Sequence, residues 1–487
     1  MGRRILLAGV GPRPTPGALK VYAPGLRLET FRRVLEAAGH EVFVAEMLFG
    51  GDGSLQRADA EDKAACVLPA EESSRRAEFE SLLARQKPEV IVTSTDVMGN
   101  LAARSPFAGP LFCDFFGHPM AERQMQAAVA KSNAGLLGQW REILPILARA
   151  DCFGVCSSAQ KHALLGELGA VGRLGYETAT YDFARVLAPA NPFEEDFHPT
   201  TFRVRGTVVP SEARILLFSG GYNTWLDEET LFQAVELAMH RDPLLHYVST
   251  GGAIEGHVNT VFERFHARVK SSLFKERFHF LGWVSHEDYM SICLEADAGI
   301  TVDEPTLEGV YGCRNRLFGW IWAGMRALAT DLSESTREQL VPPGLVTPLP
   351  LKNAEVIAQI ICREVEAGRF NTEEHTRRTE LLKKQFSPEQ CYQPLLEWVE
   401  NPTIAPDRLH SGGLSKNSLA HSMLQLEHLP SILAMLDSLQ GSRAFRMFLS
   451  TQPAKKQDWE KLMRLVKSVE SNQAQDGLNS EEERNTP

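Results

Sequence analysis

No stretch of the 487-residue chain approaches ~18 uninterrupted apolar residues, which excludes a membrane-spanning helix as a reading. Positive charge is in deficit too. With 51 Lys and Arg against 62 Asp and Glu, a net charge of −11 and a pI near 5.8, the composition argues against a general binder of nucleic acid or anionic membranes, although a local basic cleft is compatible with it. The eight cysteines (66, 113, 152, 156, 293, 313, 362 and 391) form no C-x-x-C pair and read as small buried residues in a reducing compartment. No Asp-x-Asp pair occurs that could hold a metal, and the cysteines form no metal-ligand pairs. Gly9-Val-Gly11-Pro-Arg-Pro14 has proline where a dinucleotide fingerprint needs its third glycine, so NAD or FAD is not expected there, and no other cofactor is expected. The apolar run Ile5–Val10 is too short for a secretory signal and runs into Pro12, Pro14 and Pro16. Leu6 stands where myristoylation wants Ser or Thr, so the expected location is the cytoplasm.

What is present is ordinary globular composition, 43% hydrophobic and 23% charged, over a length that suggests about three units at ~150 residues each. Strand-like runs at Arg4–Ala8, Glu41–Ala45, Glu89–Thr93, Pro110–Cys113, Cys152–Cys156 and Arg185–Pro189 alternate with helix-like stretches such as Arg27–Ala38 and Met120–Ala150. Gly50–Arg76 reads as an irregular excursion and Asn191–Pro210 as a linker. The pattern then restarts, with buried-strand runs at Arg214–Phe218, Leu244–Ser249, Arg277–Leu281, Ala298–Val302 and Ala327–Thr330. The expected fold class is α/β, with two Rossmann-like domains, 1–200 and 211–400, facing a central cleft. A C-terminal helical extension over 401–470, with helices at Ser418–Leu439 and Asp458–Glu470, and a disordered tail over 471–487 complete the chain. The extension is a place where an oligomer could form.

In open parallel sheets ligands bind beyond the carboxyl ends of the strands, so residues just after strands are the first site candidates. Three groups stand there in the second half: Ser219-Gly220-Gly221 with Asn223 and Trp225 beyond it, Thr250-Gly251-Gly252, and Asp303-Glu304 with Glu308. A Gly-Gly loop feeding a helix can hold phosphate oxygens on backbone amides, or be no more than a tight turn. Trp283, followed by Val284, offers a stacking face for a base or packs in the core. In the first half, Asp114 and His118 are four apart on a Gly-Pro turn. They either face a cleft or form a turn in which Asp114 caps amides and His118 is solvated.

Four stretches together resemble the family 4 (group 1) glycosyltransferases of the GT-B fold: Phe218-Ser-Gly-Gly-Tyr-Asn-Thr-Trp225, Phe280-Leu-Gly-Trp-Val284, Glu308 with Arg314-Asn-Arg316, and Ala323-Gly324-Met-Arg-Ala-Leu-Ala-Thr330. Asp114-Phe-Phe-Gly-His118 and Leu165-Gly-Glu-Leu-Gly169 followed by Gly172-Arg-Leu174 look like a bacterial subgroup. The resemblance implies metal-independent, retaining transfer of a sugar from a nucleotide-sugar donor to an acceptor, whether glycan, lipid-linked or small molecule. It puts Gly220 and Gly221 near the phosphates, the residues around Trp283 near the base, Glu308 near sugar or ribose, and His118 or Asp114 on the acceptor side. The chain departs from the family where a second glutamate belongs. Counted from Glu308 that position is Arg316, and counted back from the Ala-Gly pair it is Gly319. Asn223 and Thr224 replace the usual Arg and Lys. Arg314 and Arg316 can neutralise a diphosphate leaving group bidentately, or pair with Glu304 and Glu308. The rival reading is a catalytically degenerate scaffold of the same fold that binds a sugar nucleotide or a partner protein.

Overall fold

The computed structural model describes residues 2–14, 22–48, 65–190, 200–254 and 258–411, with a few more between 442 and 461. The expected helix 418–439 and the tail 471–487 lie outside the described residues, as do 191–199 of the expected linker; of the expected helix 458–470 only 459–461 are described, and they are helical.

Two all-parallel sheets carry the fold. In the first, β1 (Arg4–Gly11), β2 (Glu41–Leu48), β3 (Ala65–Val67), β4 (Val90–Ser94), β5 (Leu111–Phe115), β6 (Cys152–Val155) and β7 (Ala184–Val186) stand in the order β3-β2-β1-β4-β5-β6-β7. In the second, β8 (Arg214–Gly221), β9 (Leu245–Gly252), β10 (Phe278–Gly282), β11 (Ala298–Thr301), β12 (Arg326–Thr330) and β13 (Val346–Leu349) stand in the order β10-β9-β8-β11-β12-β13. The central strands are near-continuous apolar runs because helices cover both faces; seven of the eight residues of β1 are buried. This is the expected pair of Rossmann-like units. Each sheet reverses its order of growth beside its first strand, between β1 and β4 and between β8 and β11. At such a switch point the loops leaving the carboxyl ends part and open a crevice.

Several elements depart from the sequence expectation. Strand β5 continues through Asp114 and Phe115, so Asp114 lies in the sheet and not in the turn. The expected single helix 120–150 is two, Pro119–Ala130 and Leu136–Arg149, parted at Lys131, whose φ is 51°. Within 50–76 the residues 65–67 form an edge strand, and the helix Glu72–Gln86 begins at a cap where Glu71 accepts from the Ser73 and Ser74 amides at 3.0 and 2.6 Å. By contrast, the helix after the first Gly-Gly loop starts where its cap residue stands, at Glu228 with Asp227 accepting from the Thr230 amide at 3.1 Å.

The sequence boundary at 400 does not follow the packing. From Ser387 the chain crosses to the first unit. There Tyr392 meets Phe31 edge-on at 4.8 Å, Trp398 packs on Phe112 at 5.4 Å, and the Glu400 carbonyl accepts from Arg3 at 2.7 Å. The helix Pro406–Ser411 is tied down by Arg173 to Asp407 at 2.7 Å and by Arg408 to the buried Asp151 at 2.5 Å. One apolar core therefore runs from Leu28 and Phe31 through Tyr392, Leu395 and Trp398 to Phe318 and Trp320 of the second unit. A further clasp is polar. Glu334 of the second unit accepts from the Ser158 and Ala159 amides at the N-terminus of a first-unit helix, where a carboxylate also favours the helix dipole.

Candidate functional site

The two switch points face each other across a cleft of 490 Å³. Val10, Thr95, Asp96, Glu122 and Arg123 belong to its first wall. Ser219, Gly220, Gly221, Gly251, Glu308, Arg314 and Arg316 belong to its second, and Tyr22 and Trp283 meet edge-on at 4.8 Å between the units.

On the second wall the Gly-rich ends of β8 and β9 run side by side, Gly220 opposite Gly251 and Gly221 opposite Gly252. Gly251 has a φ of +85°, and a Cβ there would overlap the Gly220 carbonyl oxygen; only glycine lets the two backbones approach this closely. Asn223 and Trp225 also line the cleft, whereas Gly252 does not. Trp283 lines it with its indole N–H donating to the Ala253 carbonyl at 2.8 Å, and Val284 stands beside it.

The two arginines have separate fates. Arg314 donates to Asp303 at 2.9 Å and to both oxygens of Glu308 at 3.2 and 2.9 Å, so its charge is fully matched by carboxylates. Glu304, one of the partners expected for it, pairs instead with Lys352 at 2.7 Å. Arg316 has no carboxylate within ion-pair distance among the described residues. Its Nη2 makes one long contact to the Gly221 carbonyl at 3.5 Å, its guanidinium lies 4.6 Å over Phe218, and its buried Nη1 has no partner. Burial pulls its pKa below the ordinary arginine value. The count from Glu308 thus falls on a residue that lines the cleft, while Gly319 is buried in the helix Arg316–Trp322. Glu308 lines the cleft while held by Arg314, and burial raises its pKa against the pull of that guanidinium.

On the first wall Asp114 and His118 are drawn into the framework. Asp114 is fully buried and takes a bidentate pair from Arg27 at 2.6 and 2.7 Å. His118 caps the helix Pro119–Ala130, its Nδ1 accepting from the Ala121 amide at 3.2 Å. Its ring packs on Tyr311 at 5.1 Å, its Nε2 lies 3.6 Å from Glu167, and burial lowers its pKa. Neither residue lines the cleft, though Gly117 and Pro119 around His118 do.

Sequence reasoning missed the residues that do line this wall. Thr95, directly after β4, has φ 80° and ψ 156°, a region essentially reserved for glycine, and its buried hydroxyl has no partner. Asp96 accepts from the Val97 amide at 2.9 Å and from Gln139 at 2.7 Å. Glu122 has its pKa raised to about 7 by burial, with Glu308 across the cleft adding to the effect. Thr95 and Asp96 were reachable from sequence by the same after-the-strand rule that found Gly220; nothing in the sequence marked Glu122 or Arg123. The thiol of the buried Cys156, behind the lining, meets that of Cys313 across the units at 3.7 Å.

No family model and no curated protein matches the chain in sequence. Solved structures do match in fold. Sucrose-phosphate synthase from Thermosynechococcus elongatus superposes with a TM-score of 0.61 at 16% identity, over 82% of this chain and 98% of that one. Anabaena HepE in complex with UDP-glucose gives 0.57 at 13%, over 82% and 99%. The trehalose-6-phosphate synthase OtsA gives 0.56 at 11%, over 82% and 99%. The chain thus has the two-domain GT-B fold of these glycosyltransferases, and no described helix is long and apolar enough to cross a membrane.

Proposed function

We propose that the chain is a glycosyltransferase, moving a sugar from a nucleoside-diphosphate sugar on the second wall of the cleft to an acceptor on the first. The observation that carries this is Arg316: a buried guanidinium beside two Gly-rich strand ends, with an orphaned Nη1 and no carboxylate to neutralise it. As a glycosidic bond to a diphosphate breaks, negative charge gathers on the leaving phosphate, and fixed donors already aimed at it stabilise the transition state. Arg316 supplies the cation, and the loops at Gly220 and Gly251 leave room for phosphate oxygens. Trp283 and Val284 would flank the base, and Glu308, oriented by Arg314, would receive hydroxyls of the sugar or ribose. The step is assigned to protein groups without a metal. Retention of configuration and kinship with family 4 of the bacterial enzymes are proposed from the four resembling stretches. His118, which caps a helix, and Asp114, ion-paired to Arg27, hold the first wall in place and do not act on the acceptor. UDP is the first nucleotide to try, because HepE was solved with UDP-glucose.

The test is incubation of the full chain with UDP-hexoses and mixed acceptors, followed by mass spectrometry and assignment of the anomeric centre. Transfer with the donor's configuration kept is expected. Tight nucleotide binding without turnover would replace this reading with that of a binding scaffold, and an inverted product would remove the retaining assignment.

A further inference from the structure

We propose that the first wall is a subsite for a polyhydroxylated acceptor bearing a negatively charged group, and that Arg123 holds that group. The proposal rests on the glycosyl-transfer reading and adds the class of acceptor. Three observations carry it. Arg123 lines the cleft from the first turns of the helix Pro119–Ala130, yet its Nε is buried without a hydrogen-bond partner and no carboxylate stands within ion-pair distance among the described residues. Its side chain is laid across Gly135, where even a Cβ would come within 3.1 Å of Nη1, so the guanidinium is positioned by packing. A planar two-oxygen anion entering the cleft fits its fork bidentately.

The other charged groups on this wall are engaged differently. Asp96 is bonded to Gln139 and the Val97 amide, Arg27 is locked to Asp114, and Glu122, lifted to about 7 by burial and drawn back down by Arg123, makes no ion pair with it. That leaves Arg123 as the cation of this wall with no carboxylate at ion-pair distance among the described residues, since Arg27 is taken by Asp114. Beside it the strained Thr95 presents a buried hydroxyl with no partner at the end of β4, and Gln126 and Asp96 line the same space. A backbone conformation this costly, on a β-branched residue, persists where the surroundings enforce it, and such outliers gather at ligand sites. Hydroxyl donors and acceptors around one orphaned guanidinium describe an acidic sugar or a sugar phosphate. A carboxylate and a phosphate share the recognising chemistry.

The test is calorimetric titration of the full chain, wild type and Arg123→Gln, with glucose 6-phosphate, glucuronate, glucose and glucosamine, each with and without UDP. The wild type is expected to bind one or both anions at least ~10-fold more tightly than glucose or glucosamine, and Arg123→Gln to lose that preference while its UDP affinity is unchanged. The larger loss, for phosphate or for carboxylate, identifies the anion. Arg123→Lys, keeping the charge without the fork, should recover part of the preference. A preference for glucosamine, equal binding of all four, no binding of either anion, or a preference that survives in Arg123→Gln would each overturn the proposal. Failure of UDP to bind the wild type, read in the same titrations, would instead count against the donor site.

Discussion

The two walls of the cleft are built alike, each from the carboxyl ends of parallel strands at a switch point, but they treat charge in opposite ways. The second wall strips its backbone to glycine and leaves Arg316 unpaired, while spending Arg314 on Asp303 and Glu308. The first spends Arg27 on Asp114 and keeps its backbone strain at Thr95. Within each wall one arginine is architectural and another is left open. Two arginines two residues apart, or lining the same wall, are therefore not interchangeable: a matched guanidinium fixes the wall, and an unmatched one waits for an anion.

The sharpest way to break this comparison is to remove a matched partner. Arg27→Met or Asp114→Ala should cost about 3–5 kcal/mol in denaturant unfolding, because each strands a buried charge. The double variant Arg27→Met with Asp114→Leu should cost less than either alone. Arg314→Met should behave like the single variants, and a loss of stability no larger than that of a surface arginine would contradict its architectural role.

The next effect is pH-dependent. Burial lifts the folded-state pKa of Glu122 to about 7, so the protonated form is favoured on folding. Its contribution is fully present below the unfolded value near 4.5 and is lost as pH rises through about 7, up to roughly 3 kcal/mol in all. Thermal stability should therefore fall between about pH 5 and 8, and Glu122→Gln should flatten part of that slope. Glu167, also raised to about 7 by burial, supplies a further part that this variant leaves intact. An unchanged slope would remove Glu122 from the account.

The smallest effect separates a cap from a reacting group. His118→Ala should cost about 1 kcal/mol of stability through the lost cap, with kcat nearly unchanged. Loss of kcat with stability retained would return His118 to the chemistry.

Much of the architecture was legible because buried parallel strands are short apolar runs: the run 214–218 became β8 and 298–302 became β11 almost in place. Strand β13 escaped because Pro348 interrupts its pattern, which an edge strand tolerates. The cleft was legible on one side. Glycine pairs after strands announce a close backbone approach, whereas Arg27 and Asp114 find each other across 87 positions and no local pattern carries that. The division between Arg314 and Arg316 was equally hidden, since it depends on which side chain reaches Asp303 and Glu308. Glu308→Ala is for that reason a poor probe of the donor site, as it would free Arg314 while removing a cleft carboxylate.

The most direct measurement is titration calorimetry of UDP into wild type, Arg316→Gln and Arg123→Gln. The account predicts binding to the wild type, a loss of at least ~10-fold in Arg316→Gln with unfolding unchanged, and no loss in Arg123→Gln. Equal UDP affinity in wild type and Arg316→Gln, or no binding of UDP or any other nucleoside diphosphate to the wild type, would contradict the assignment of the second wall to the donor.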